Sequence, residues 1–147
     1  MTVRQELIVC LSDLIETCRD GENGFQTAAD HVSDPELKKF FTQCSEQRAQ
    51  FASELQSELR QMGGTPAQTA GLSAAFDRGW INIESIVRVG NDELIITECE
   101  RGEDAAIKNY QRVLKENLPP SVLPVVKHQF TTIKRSHDRI RGLEEAA

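Results

Sequence analysis

Glu22, Arg48, Glu103 and His137 fall, one each, on four otherwise apolar helical stripes. A charge facing the inside of a helix bundle is costly unless it is paired or bound to a metal. Side chains projecting inward from facing helices are also how bundles build metal and cofactor sites, and carboxylate and imidazole are ordinary ligands for Zn, Fe and Mn. Two kinds of chemistry therefore compete for these residues. One is metal ligation through Glu22, Glu103 and His137. The other is neutralisation of a carboxylate by Arg48.

Helical phase sharpens the set. With each residue advancing about 100°, Glu22 lies on the side of Leu11, Ile15 and Ala29, either turned inward or at the stripe's edge reaching water. On the second helix Gln47 and Arg48 occupy the inner side, while Glu46 falls opposite Phe40, Cys44 and Phe51 and belongs in solvent. Counted from the turn at Ser33 and Asp34, Arg48 reaches a level within about a turn of Glu22. A Glu22–Arg48 ion pair is expected; the competing reading lays Arg48 along the flank to water. Glu103 is bracketed by Cys99, Ala106 and Ile107. Glu100 flanks that face and can turn in, whereas Glu98 is expected in solvent. His137 sits between Ile133 and Ile140, and counted from the turn near Pro119 it falls level with Glu103. A Glu103–His137 hydrogen bond and a metal shared by the two both remain open.

The elements that must position these residues are helices. Leu7, Leu11, Leu14, Cys18, Phe25, Ala29 and Val32 recur at three- and four-residue steps and predict a first helix from about Thr2 to Val32. Gly21 and Gly24, on either side of Glu22, mark a kink or a close helix approach. Ser33-Asp34-Pro35 stops and restarts the chain, with Pro35 suited to a first helical position. Leu37, Phe40, Phe41, Cys44, Phe51, Leu55, Leu59 and Met62 define the second helix, which Gly63-Gly64 ends. Residues 63–71 read as a linker. A shorter amphipathic helix is expected next, with Leu72, Phe76, Gly79, Ile83 and Ile86 on one side and Trp80 beside them. Gly90-Asn91-Asp92 resets the chain for a third long helix carrying Ile95, Ile96, Cys99, Ala106, Ile107, Tyr110, Val113 and Leu114 inward. Asn117-Leu118-Pro119-Pro120-Ser121 turns into a fourth, with Val122, Val126, Phe130, Ile133, His137 and Ile140 in register. The order is two antiparallel hairpins joined by one long crossover holding a short extra helix.

Size and charge narrow the class. A chain of 147 residues suits one domain, residues 1–147, with one substantial core. Charged residues at 27% and aromatics at 5% fit helices packed by aliphatic side chains. A net charge of −6 argues against a nucleic-acid surface. No apolar run is long enough to span a membrane, and the first residues lack the basic and apolar regions of a signal peptide, so the expected location is the cytoplasm. Four cysteines, Cys10, Cys18, Cys44 and Cys99, are widely spaced without a Cys-x-x-Cys, and read as free thiols serving as small hydrophobes.

Several stretches together carry a resemblance: Asp13-Leu14-Ile15-Glu16-Thr17 leading into Asp20-Gly21-Glu22, Gln47-Arg48-Ala49-Gln50-Phe51, Arg78-Gly79-Trp80, Cys99-Glu100-Arg101-Gly102-Glu103-Asp104 and His137-Asp138-Arg139-Ile140. Over nearly its whole length the chain resembles the ferritin-like superfamily, and more closely a family of small bacterial ferritin-like four-helix-bundle proteins of unknown function. The resemblance implies an all-α, ferritin-like bundle and no established activity. Di-iron members of the superfamily take one Glu from each of two helices and a Glu-x-x-His pair from each of the other two. Here Glu22 and Glu103, with Glu100 in reserve, match the single glutamates, and His137 matches one histidine. Lys134 stands where that histidine's glutamate belongs, and the second helix offers Gln47 and Gln50, or Arg48 and Phe51, instead of a Glu-x-x-His.

The resemblance therefore implies a degenerate di-metal site in which Arg48 and Lys134 supply the positive charge. The expected function is a metal-free structural or interaction protein, associated with stress, with no cofactor and with a homodimer as its simplest assembly. The alternative is a metal-binding protein or oxidase that holds a transition metal weakly through Glu22, Glu103 and His137. A further, weaker expectation is a carrier of a small apolar ligand.

Overall fold

The computed structural model describes residues 2–64 and 76–146. Among them are five helices and no strand: α1 (Val3–His31), α2 (Pro35–Gln61), α3 (Ile83–Val89), α4 (Asp92–Leu114) and α5 (Leu123–Ala146). The four long helices lie within a residue or two of the spans expected from periodicity. No helix is long and apolar enough to cross a membrane.

Local chemistry sets the ends. Thr2 opens α1 with a reciprocal capping box to Gln5. Asp34 caps α2 through Glu36 N–H, with Pro35 in the first turn. Asn91 caps α4 by accepting from Leu94 N–H. Asp92, the other residue suited to that cap, instead accepts from Ser33 N–H and Asp34 N–H at 2.8 and 3.1 Å. The α1–α2 turn is thereby tied to the start of α4.

Helix α1 packs on α2 and α4, and α5 packs on α4 and α2. The four long helices form a square in which α2 and α4 are diagonal. Leu11, Leu14, Leu55, Leu59, Tyr110, Val126 and Ile133 fill one half of the core. Phe25, Phe41, Cys44, Trp80, Ile95, Cys99 and Ile140 fill the other. Gly21 and Gly24 are both buried and α1 runs on through them without a break, so they mark close approach and not a kink.

The crossover differs from expectation. Its helix begins only at Ile83, and Phe76–Asn82 is irregular; Leu72 and residues 65–71 of the expected linker lie outside the described residues. Two side chains of α4 hold the irregular segment. Asn109 accepts from Asp77 N–H and donates to Asp77 C=O, both at 2.8 Å. Glu98 accepts from Asn82 N–H at 2.8 Å. These contacts give the backbone groups partners that a helix would otherwise supply. Between the two anchors Trp80 adopts a left-handed φ of 68°, a conformation costing on the order of 1–3 kcal/mol that packing must offset.

The indole of Trp80 is clamped between two helices. A Cβ added at Gly24 of α1 would meet Trp80 Cδ2 at 2.2 Å, and one added at Gly102 of α4 would meet Cε2 at 2.2 Å. Its ring also meets Phe25 edge-on, with centroids 4.7 Å apart. Trp80 and Ile83 thus cover the bundle's own core. Since overpacking costs about 1–3 kcal/mol, Gly102→Ala should lower stability by about that much in urea denaturation. It should also red-shift the emission of the protein's one tryptophan; unchanged emission would show that the indole does not occupy this clamp.

Candidate functional site

The centre of the bundle is an ion pair. Arg48 of α2 donates from Nη1 to Glu103 Oε1 at 2.5 Å and from Nη2 to Oε2 at 2.8 Å, a bidentate arrangement across the α2–α4 diagonal. Both residues are fully enclosed, at 1% and 0% exposure. Burial alone pulls the guanidinium's pKa down, but the charge of Glu103 and its hydrogen bonds outweigh this, and Arg48 stays above its ordinary value. The long side chain has room because Gly21 faces it: a Cβ there would lie 3.3 Å from Arg48 Cγ. Its guanidinium also lies over the Phe25 ring, 5.3 Å from the centroid.

The other expected residues are distributed differently. Glu22 accepts from Arg19 on its own helix at 2.8 Å and is half-buried. The expected Glu22–Arg48 pair is replaced because the arginine reaches across the diagonal, where a fully buried carboxylate had no other neutraliser. His137 does not meet Glu103. Its Nε2 lies 2.6 Å from Asp104 Oδ1, on the outer α4–α5 seam. Gln47 is half-buried, with its Oε1 lacking a hydrogen-bond donor. Lys134 is exposed; its Nζ lies 5.4 Å from the Phe130 ring centroid, beside a groove that also includes Gln111, Leu114 and Lys115. It does not enter the core. Glu98, expected in solvent, is fully buried because the crossover docks on its side of α4. Glu46 is exposed as expected.

The geometry brings together Glu100, Asp104 and His137, whose ligand-capable atoms all lie within 4.8 Å of one another. Glu22, Glu103 and His137 do not converge. Asp104 is not singled out by helical phase because it lies off the apolar stripe of α4. The available clue was its i,i+4 spacing from Glu100 on a helix that packs beside His137.

Two further polar chains run through the core. Tyr110 donates to Gln129 Oε1 at 2.7 Å, with Cys18 Sγ 3.2 Å from the same hydroxyl. Gln129 in turn donates to Phe51 C=O and to Glu54. Asn109 donates to Thr17 Oγ1 at 3.0 Å as well as holding the crossover. Gln129 and Asn109 carry no charge to signal them in sequence, and each is revealed only by its neighbours. The four cysteines are free. Burial raises the thiols of Cys10 and Cys18 to about 11 and that of Cys44 to about 12, and lifts Cys99 well above the usual range.

An all-helical chain with two antiparallel hairpins joined by a crossover defines a class, the ferritin-like helical bundles. A crystal structure from Anabaena variabilis, of a two-domain protein containing DJ-1/ThiJ/PfpI-like and ferritin-like domains, shares this fold. Its TM-score is 0.80 at 13% identity, over 99% of this chain and 40% of that one. Within the class, the chain belongs to the family described as "Domain of unknown function (DUF2383)", which matches residues 6–116. No curated protein matches the sequence. The family match includes Glu22, Arg48 and Glu103 and ends before His137.

A superfamily-type di-metal centre does not fit this core. Such a centre draws on four carboxylates and two histidines, whereas Glu103 has both oxygens engaged by a guanidinium. Fixed positive charge stands where cations would have to bind.

Two predictions follow from this geometry. Glu103→Leu leaves Arg48 buried without a partner and should cost about 3–5 kcal/mol, whereas Arg48→Met with Glu103→Leu should recover most of that loss. Urea denaturation of the singles and the double measures it; additive losses would show that the pair is not coupled. Under native conditions near neutral pH a thiol reagent should modify Cys10 first and leave Cys18, Cys44 and Cys99 largely protected, all four reacting after unfolding. Rapid native reaction of Cys44 or Cys99 would contradict their burial.

Proposed function

We propose that this protein is a non-catalytic ferritin-like bundle whose central metal site has been exchanged for an internal ion pair, and that it serves as a structural or interaction protein. The Arg48–Glu103 pair carries this reading. A guanidinium fork that satisfies both carboxylate oxygens does the charge balancing that two metal ions do in di-iron bundles. It leaves Glu103 no free oxygen for a metal at the bundle centre. The proposal takes residues 1–147 to work as one domain in the bacterial cytoplasm, in a structural, interaction or stress-associated role.

The simplest partner is a second copy of the chain. The crossover strip offers little for this, since Trp80 and Ile83 face inward. Ile81, Val89 and Leu94, with 71%, 66% and 43% exposure, are the apolar side chains left outside in the same region. A homodimer built there should dissociate in sedimentation velocity when Ile81→Glu and Val89→Glu are combined; an unchanged dimer would move the interface elsewhere.

Anaerobic loading with Fe(II) followed by oxygen tests the central claim. The expected result is no iron binding that depends on Glu103 and no oxidation faster than in buffer. Two irons per chain, lost in Glu103→Gln and accompanied by rapid oxidation, would overturn the proposal and restore a catalytic reading.

A further inference from the structure

The outer seam between α4 and α5 holds a second polar cluster, independent of the central ion pair. Glu100 and Asp104 stand one turn apart on α4, and His137 faces them from α5. The imidazole Nε2 is 2.6 Å from Asp104 Oδ1, and the His137 side chain is only 12% exposed. Glu144, two turns beyond His137 on the same helix, brings a third acidic group beside Glu100. Two carboxyl groups in that contact need a proton or a cation between them. Glu144 Oε2 is buried without a hydrogen-bond donor.

Three nearby cations are turned to other partners. Lys134 lies over Phe130, Arg101 is 3.6 Å from Glu98, and Arg139 stacks 4.1 Å above the Phe40 ring centroid. An imidazole nitrogen and several carboxylate oxygens thus converge on one spot, with a buried acceptor left over.

We propose that Glu100, Asp104 and His137 form a mononuclear site for a divalent transition metal on the α4–α5 seam, with Glu144 as its outer partner. The imidazole selects Zn or Fe(II) over Mg or Ca, which prefer all-oxygen ligands. Three protein ligands leave positions for water, and Asp104, 49% exposed on its side-chain surface, keeps the site open to exchange. A metal here bridges α4 and α5 near their free flank and stiffens the second hairpin. It is a different site from the bundle centre and does not require Glu103.

The test is titration of the tag-free full-length protein with Zn(II) by calorimetry, and with Co(II) by visible absorption. Wild type should bind one ion per chain, with a Co(II) d–d band showing nitrogen–oxygen coordination and with a rise in Tm. His137→Ala and Asp104→Asn should abolish that band. Glu144→Gln should weaken binding about tenfold, the scale of an outer-shell loss. Glu103→Gln should leave Zn(II) affinity intact, or, where that variant unfolds, Arg48→Met with Glu103→Leu serves as the core control. Asp104→Asn, at a half-exposed position, tests the site without threatening the fold. Absence of saturable binding in wild type would overturn the proposal, as would binding indifferent to His137 and Asp104. Either result would leave His137 and Asp104 as a simple hydrogen-bonded pair.

Discussion

The Arg48–Glu103 pair spans the diagonal of the bundle, and that placement constrains much of what surrounds it. Diagonal helices are too far apart for short side chains to meet. An arginine from one and a glutamate from the other bridge the gap and fix the level at which the two hairpins face each other. A lysine would offer one point charge where the guanidinium offers a planar fork matched to both carboxylate oxygens. Breaking such a pair strands a buried charge, whereas deleting both partners need not destabilise the fold. The pair therefore contributes more to registry than to net stability.

From that pair a ring of contacts closes through the crossover. Arg48 lies over Phe25, Phe25 meets Trp80 edge-on, and Trp80 packs against Gly102, the residue next to Glu103. The left-handed Trp80 backbone is held in place by this ring and by the anchors at Asn109 and Glu98. Glycine is required at 24 and 102 for one shared reason, that the Trp80 ring lies where a Cβ would be, while Gly21 gives the Arg48 side chain a closer fit. The glycines weaken helix propensity locally, and the tertiary packing they permit offsets it.

The long helices, their caps and the two hairpins were legible in the sequence because each rests on local periodicity and turn chemistry. Glu103 and Arg48 were legible as inward residues. Their mutual pairing was not, because Glu22 lies at a similar height and helix phase alone does not say which corner of a bundle a helix occupies. Glu98 shows the same limit from the other side. Its phase pointed to solvent, but an irregular segment arriving from elsewhere in the chain covers it. The crossover helix was overextended for a related reason: its apolar spacing at Phe76, Gly79, Trp80 and Ile83 is satisfied by a strap laid flat on α4. His137 was placed too far inward: its ring meets Asp104 on the α4–α5 seam instead of Glu103.

Helix α4 carries four acidic residues between positions 98 and 104, Glu98, Glu100, Glu103 and Asp104, and the fold separates them by direction. Glu98 turns to the crossover backbone, Glu103 to the central guanidinium, and Glu100 and Asp104 to α5.

 The three directions differ in kind. A backbone N–H and a guanidinium are fixed donors supplied by the chain itself, so Glu98 and Glu103 are settled within the fold. The carboxylates facing α5 meet an imidazole and another carboxyl group, neither of which balances them with fixed charge. Whatever this helix exchanges with its surroundings, whether proton or cation, is therefore exchanged at the α5 seam and not at the bundle centre, where a ferritin-like fold would otherwise direct attention.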